Sequence, residues 1–281
     1  MVFDVEQGKV AGEIPGTAGA HGVALAPALN LGFATAAKDF FPTGNGREGT
    51  LHVFDTRTLK TVRKIKAGEK PDAILFDPAS RRIFAFNGDG GTVTIVDPAA
   101  LDKEPATLAI GGKLEGGVAD GAGRVYVNVE DKSEVVAIDS KEQKVLARWS
   151  LAPGEEPSGL AIDVAHRRLF SGCGNQKMVI LDADSGKGLG AVAIGPGADG
   201  VAFDPALGVA VSSNGGDGTM TVVREGPAGQ FKVVQTVKTA KGAKTIAVDL
   251  KTHRFYTPCN VQSEGGKADF SLLVVGQASQ P

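Results

Sequence analysis

The segment PDAILFDPASRRIFAFNGDGGTVTIVD, residues 71–97, contains three short apolar stretches separated by turn-forming residues. Asp-Pro-Ala-Ser follows the first stretch and Gly-Asp-Gly-Gly follows the second, and both compositions are typical of tight turns. The pattern therefore predicts a run of short β-strands. Strands A to D of this run are Pro71–Phe76, Arg82–Asn87, Thr92–Asp97 and Thr107–Ile110.

This run repeats along the whole chain. One series of apolar strand ends closes on aspartates spaced 42, 42 and 43 residues apart, at Asp55, Asp97, Asp139 and Asp182. A second series is out of phase with the first, with spacings of 43, 43, 41 and 45 residues, at Asp77, Asp120, Asp163, Asp204 and Asp249. Such a period in segments with strand character is typical of propeller blades, so the sequence predicts an all-β protein, a β-propeller of four-stranded blades. Both aspartate series are interpreted as turn formers.

The A strands are near-continuous apolar stretches instead of alternating ones. A strand has this composition when both of its faces are buried, as expected for the inner strands of a propeller. They are also rich in Gly and Ala, as in Gly117-Val118-Ala119, which favours close packing near a narrow axis. No segment shows a helical period.

The number of blades has two interpretations. Copies of strand C number seven, from Val2–Val5 to Leu272–Val275, whereas copies of strands A and B number six. The preferred prediction is a seven-bladed propeller with an incomplete first blade, whose natural sequence upstream of Met1 is missing. The alternative is six blades closed by the N-terminal strand, with Lys9–Ile14 beside Leu272–Val275, which would protect an edge strand.

We predict a single β-propeller domain over residues 1–281. Its predicted parts are a partial blade at 1–16 and blades at approximately 17–67, 68–112, 113–153, 154–195, 196–241 and 242–281.

Composition disfavours several classes of function. The net charge of −2 gives no bias toward DNA or anionic membranes. Aromatic residues make up 6% of the chain, which leaves few side chains for stacking on bases. No apolar run approaches the ~18 residues of a membrane span, so we predict no membrane insertion. The first six residues are neither basic nor continuously apolar, so we predict no signal peptide in this chain.

The two cysteines occupy the same position at the end of strand B, two blades apart. Cys173 and Cys259 should therefore lie farther apart than the ~7 Å between Cα atoms that a disulfide allows. The sequence predicts two free thiols.

A longer motif accompanies the repeat. An apolar-Asp strand end, Phe54-Asp55, precedes a Leu59-Lys60 turn and a further strand, and Gly68-Glu69-Lys70-Pro71-Asp72 follows. This motif resembles the YVTN-repeat, or YncE-like, seven-bladed β-propeller family, and the resemblance covers essentially the whole chain. It implies a bacterial protein exported to the periplasm or cell surface. One relative in this family is associated with DNA binding, and similar propellers occur in redox proteins.

Candidate binding residues lie where strand D meets strand A and where strand B meets strand C. In a propeller both connections emerge around the mouth of the central channel, and loops on a rigid scaffold often carry binding residues. The alternative is that Asn, Asp and Gly serve there only as turn formers. The predicted ligand-binding residues are His21, Lys70, Asp72, Asn87, Glu115, Asn128, Glu156, Ser158, Asn175, Asp199, Asn214, Lys244 and Asn260.

The sequence contains no Gly-x-Ser-x-Gly elbow, no phosphate-binding Gly-Lys-Ser/Thr loop and no His-Glu-x-x-His. We therefore predict a non-enzymatic scaffold without a cofactor, which binds a small molecule or a macromolecular partner. One alternative is a metal-assisted lactonase or hydrolase, because the carboxylates and amides could hold Ca²⁺. The other is single-stranded DNA binding, which the family suggests and the charge opposes.

Overall fold

A computed structural model gives the architecture as all-β, as predicted. The helices among the described residues are two single 3-10 turns, at Pro27–Leu29 and Glu130–Lys132. No helix within the described ranges is long and apolar enough to cross a membrane. The chain forms two compact units, residues 1–126 with 137–146 and residues 127–136 with 147–281. The structure describes residues 1–17, 19–36, 48–227, 229–262 and 268–276.

The first unit begins with a two-stranded hairpin, β1 Val2–Asp4 and β2 Lys9–Gly12. Two four-stranded antiparallel sheets follow, in which each strand pairs with the next one in sequence, and we call such a sheet a blade. Blade one consists of β3 Ala20–Ala26, β4 Leu31–Ala36, β5 Glu48–Asp55 and β6 Thr61–Glu69. Blade two consists of β7 Pro71–Asp77, β8 Arg82–Asn87, β9 Thr92–Val96 and β10 Ala106–Ala109.

Blade three contributes residues to both units. It consists of β11 Leu114–Ala119, β12 Arg124–Val129, β13 Glu134–Asp139 and β14 Lys144–Ser150.

The second unit continues the same pattern. Blade four consists of β15 Pro157–Asp163, β16 Arg168–Cys173, β17 Lys177–Asp182 and β18 Gly188–Ala193. Blade five consists of β19 Ala198–Asp204, β20 Val209–Asn214, β21 Thr219–Glu225 and β22 Phe231–Lys238. Blade six has three strands among the described residues, β23 Ala247–Asp249, β24 Arg254–Gln262 and β25 Ala268–Val275.

The described residues form six blades, so the predicted seven-bladed form is wrong and the number given by the alternative is correct. The sequence suggested a seventh blade because Val2–Val5 carries the apolar-Asp ending of a C strand. In the structure this segment forms β1, and the sheet of β1 contains only β2 as a partner. Closure of blade six by Lys9–Ile14 stays a prediction.

Burial differs between strand types in a way that the apolar A strands did not predict. Strands B and C of blade two are buried almost throughout, whereas the inner strand β7 is mostly half-buried. The reason is that β7 lies at the edge of its sheet and has one strand neighbour, β8. The outer strand β14 alternates between exposed and half-buried residues, as a strand with one solvated face does.

Neighbouring inner strands pack so closely that they require glycine. A Cβ atom on Gly159 of β15 would lie 2.5 Å from the Val201 nitrogen and 2.7 Å from the Asp199 carbonyl oxygen of β19. Both of these atoms belong to backbone, which cannot rotate away as a side chain can. The Gly-rich composition of the A strands therefore follows from close contact between blades.

Aspartates close the turns at both ends of the strands, as the sequence predicted. The Asp182 carboxylate accepts hydrogen bonds from the Ser185 hydroxyl at 2.7 Å and from the Ser185 backbone N–H at 2.9 Å. These bonds, the hydroxyl first, hold the pKa of Asp182 below its usual range. Backbone N–H groups, with that of Glu142 the strongest, lower the pKa of Asp139 in the same way.

Replacement of Gly159 by Ala should destabilise the fold because the new methyl group meets the backbone of blade five. We expect the free energy of unfolding to fall by about 1–3 kcal/mol or more in chemical denaturation. Gly188→Ala is the matched control, since its Cβ would meet nothing within 4 Å. Equal stability of the two variants would contradict close packing at Gly159.

Asp182→Asn should make the protein less sensitive to acid. Because the folded state lowers the pKa of Asp182, this carboxylate stabilises the fold at neutral pH, and the stabilisation is lost as the pH falls below about 4. The drop in unfolding free energy between neutral pH and about pH 3 should therefore be smaller in the variant. An equal drop in the variant and the wild type would contradict this role of Asp182.

Candidate functional site

Hydroxyl groups on two B strands donate hydrogen bonds to the backbone of the next blade, at or just before the start of its A strand. We call the polar residues at these starts the openers. The Thr35 hydroxyl of β4 donates to the Asp72 carbonyl oxygen at 2.8 Å. The Ser213 hydroxyl of β20 donates to the Lys244 carbonyl oxygen. Each bond joins one blade to the next, so Asp72, the second residue of β7, and Lys244, three residues before β23, sit on backbone that two blades fix. These openers form the core of the candidate site.

Three predicted residues come together in the second unit. The Ser158 hydroxyl of β15 donates to Asp199 Oδ1 of β19 at 3.0 Å and lies 3.1 Å from the Asp199 carbonyl oxygen. Lys244 Nζ lies 3.6 Å from Asp199 Oδ2. The Lys244 side chain is 63% exposed and that of Asp199 is 32% exposed, so both are accessible. We call Ser158, Asp199 and Lys244 the polar row.

Two other predicted residues form a shorter pair in the first unit. His21 Nδ1 of β3 lies 3.5 Å from Asp72 Oδ1 of β7, and both side chains are partly exposed. His21 and Asp72 occupy the same positions in their blades as Ser158 and Asp199 do in theirs. In each unit, therefore, the polar residues at the starts of two neighbouring inner strands contact each other.

Two other predicted charges have ion-pair partners nearby in the sequence. Lys70 Nζ lies 3.2 Å from Asp89 Oδ1. Glu115 Oε1 lies 3.1 Å from Lys113 Nζ.

The predicted asparagines divide into buried and exposed ones. Asn87, Asn128 and Asn214 are fully buried and lie within the B strands, whereas the sequence predicted them as ligand-binding residues where strand B meets strand C. The Asn128 amide donates to the Ser158 carbonyl oxygen at 3.0 Å and accepts from the Ser171 hydroxyl at 3.1 Å.

Asn87 and Asn214 make matching bonds inside their blades. Each amide donates to two threonines on the neighbouring C strand, Asn214 to Thr219 at 3.0 Å and to Thr221 at 2.9 Å. These contacts hold strand ends together. A ligand contact of these asparagines stays a prediction.

The remaining predicted residues lie on the surface. Asn175 bridges an exposed loop by donating to the Pro153 carbonyl oxygen at 2.9 Å and accepting from the Glu155 N–H at 3.1 Å. Glu156 adopts a left-handed backbone with φ of 52°. Asn260 is exposed near the end of β24.

The sequence missed a cluster at the opposite end of β19. The fully buried Asp204 carboxylate accepts from His253 Nδ1 at 2.9 Å, although His253 is 49 residues away. Arg224 donates to the Leu207 carbonyl oxygen in the turn after Asp204. A His in an A–B turn is visible in sequence, but the pattern does not say which aspartate it contacts.

No group of three or more His, Cys, Asp or Glu side chains in the described part of the chain lies close enough together to hold a metal ion. A Ca²⁺ site that draws on carbonyl or amide oxygens stays a prediction.

Both cysteines are free thiols and buried, which confirms the prediction. Burial raises the pKa of the Cys173 thiol to about 11, so the thiol form predominates at neutral pH.

Cys173 should therefore be unreactive in the native protein. With a thiol-specific disulfide reagent at about pH 8, we expect modification of Cys173 only after denaturant is added, because reaction needs both exposure and the thiolate. Peptide mapping of the labelled protein checks this. Rapid labelling of Cys173 in the native state would contradict its burial.

Comparison with known proteins supports the fold. No family model matches the chain, and no curated protein matches it. Among solved structures, hydrazine synthase from Kuenenia stuttgartiensis is similar over 88% of this chain and 77% of its own chain, with a TM-score of 0.67 and 16% sequence identity. At this identity the likeness concerns the fold alone, because one fold hosts many functions. Together with the four-stranded antiparallel sheets, it establishes that the chain is a β-propeller.

Proposed function

We propose that this chain is a non-enzymatic binding propeller that holds a polar ligand, or a polar segment of a partner, on the polar row. The observation that carries the proposal is the contact among Ser158, Asp199 and Lys244, which come from three consecutive blades. Their backbone is fixed by bonds between blades, while the charged groups stay accessible. Groups held in place before binding cost less ordering when the ligand arrives.

The chemistry of the polar row suggests the class of ligand. The Lys244 ammonium can donate to an anionic group, and the Asp199 carboxylate can accept from a hydroxyl or an amine. A ligand with an acidic group beside a hydroxyl or amine group matches both. Amino acids, sugar acids and peptide termini have this arrangement.

The environment of Ser158 supports binding over catalysis. Serine nucleophiles are activated by an adjacent base such as an imidazole. The Ser158 hydroxyl instead contacts the carboxylate and the carbonyl oxygen of Asp199. Within the polar row it therefore acts as a donor that holds Asp199 in position.

We further propose that the chain is a YVTN-type, YncE-like propeller of bacterial origin that acts in the periplasm or at the cell surface. The repeat motif and the propeller fold support this family. Neither the Ca²⁺-dependent hydrolase nor the single-stranded DNA binder gains a specific observation from the described residues, so both serve as outcomes of the test.

A thermal-shift screen with amino acids, sugar acids and dipeptides tests the proposal. We expect at least one compound to raise the unfolding midpoint of the wild type, because a ligand that binds only the folded state stabilises it. Lys244→Met and Asp199→Asn should need about tenfold more of that compound, since each loses a charge-assisted contact. Lys241→Met, which removes an exposed lysine outside the polar row, should respond as the wild type does.

Three results would contradict the proposal. The first is a failure of the screen, in which no compound raises the unfolding midpoint of the wild type or all four proteins respond equally. A second is steady hydrolysis of lactones or aryl esters that needs Ca²⁺ and is abolished in Asp199→Asn. The third is a gel shift of single-stranded DNA that persists at about 0.15 M salt, where purely electrostatic binding weakens.

A further inference from the structure

A second site lies within the second unit, between blades five and six. It is a cleft of about 620 Å³, within the range of pockets that bind small molecules. We call it the interblade cleft. Most of its lining side chains are apolar, among them Val209, Met220, Val222, Val237, Phe255 and Val275.

The apolar face of blade five forms one wall of the interblade cleft. Val209 and Met220 are buried where blade six covers them, while Val222 and Val237 are only half-buried. β25 is the outermost described strand of blade six, so the neighbouring sheet covers the inner part of blade five more completely than the outer part. The outer part of this wall thus presents partly exposed apolar side chains to the cleft.

One end of the interblade cleft is polar, and its polar side chains are held around the turn that follows Asp204. Asp204 ends β19, and its buried carboxylate accepts from the Ala206 and Leu207 N–H groups at 3.0 and 3.1 Å. The same carboxylate accepts from His253 Nδ1 at 2.9 Å. Because a carboxylate accepts here, Nδ1 is the donor, and this bond orients the imidazole ring.

The same turn also positions the Arg224 guanidinium, through a hydrogen bond. Arg224 donates to the Leu207 carbonyl oxygen at 3.3 Å and lines the interblade cleft beside His253. Among the described residues no carboxylate lies within 4 Å of this guanidinium. Arg168, in contrast, lies between Asp182 at 3.6 Å and Glu225 at 3.7 Å. Arg224 therefore has donors left for an anion.

We propose that the interblade cleft binds a monocarboxylate with an apolar chain. The carboxylate contacts the Arg224 guanidinium, whose planar fork matches two carboxylate oxygens. The apolar chain lies against Val222, Val237 and Phe255, and leaves water as these side chains do. This site is separate from the polar row, since Asp199 opens β19 and Asp204 ends it, about 16 Å along the strand.

Calorimetric titration of the full chain with octanoate tests the proposal. We expect one octanoate to bind per chain, and 1-octanol and acetate each to bind at least about tenfold more weakly, because each lacks one of the two recognised parts. Arg224→Ala should weaken octanoate by about tenfold or more. Val222→Trp should fill the cleft and abolish binding.

Lys238→Ala is the matched control, since this exposed basic residue on β22 does not line the interblade cleft. It should bind octanoate as the wild type does. Circular dichroism and the thermal midpoint confirm that each variant is folded, and Arg224→Lys provides a second variant that keeps the charge without the fork and should bind with intermediate affinity.

The proposal is overturned if octanoate does not bind, if 1-octanol binds equally well, or if Arg224→Ala leaves the affinity unchanged. It is also overturned if sedimentation shows a wild-type dimer that Val222→Trp converts to a monomer. In that case a second copy of the chain occupies the interblade cleft. Loss of octanoate binding in Lys244→Met would overturn it as well, since the polar row is then the octanoate site.

Discussion

Neighbouring A strands approach so closely that a single methyl group at Gly159 would lie 2.5 Å from the Val201 nitrogen. The same contact occurs in the first unit, where a Cβ on Gly22 would lie 2.8 Å from the Asp72 carbonyl oxygen. This distance brings the carbonyl groups of one inner strand within reach of side chains on the preceding blade. The Thr35 hydroxyl donates to the Asp72 carbonyl oxygen in this way, and the bond fixes the start of β7.

Close approach also decides which polar residues are available to a ligand. Asn128 looks like a binding residue in sequence, but its amide is surrounded by the Ser158 and Gly159 carbonyl oxygens and the Ser171 hydroxyl. A buried amide of this kind stabilises the packing of blades, and its loss would leave polar partners unsatisfied. The side chains of Asp199 and Lys244 are partly exposed, so their charged groups stay accessible to a ligand. Asn and Asp in equivalent turns therefore have different roles.

The two ends of β19 carry different chemistry. Asp199 at its start joins the polar row, whereas Asp204 at its end is buried and orients His253. The first arrangement suits a hydrophilic ligand. The second places the Arg224 guanidinium at one end of the interblade cleft, which suits an amphipathic anion. A β-propeller provides such pairs of sites because every inner strand presents one residue at each end.

The sequence was sufficient to predict the class of fold, the four-strand repeat, the Asp-closed turns and the free state of Cys173, because these follow from local turn chemistry and from a period that any copy reveals. It also placed Ser158, Asp199 and Lys244 at equivalent positions. The tertiary structure was needed to count the blades, since an isolated hairpin has the same local pattern as strands C and D of a blade. The contact between His253 and Asp204 and the interblade cleft also appear only in the tertiary structure, because both depend on how separate blades pack.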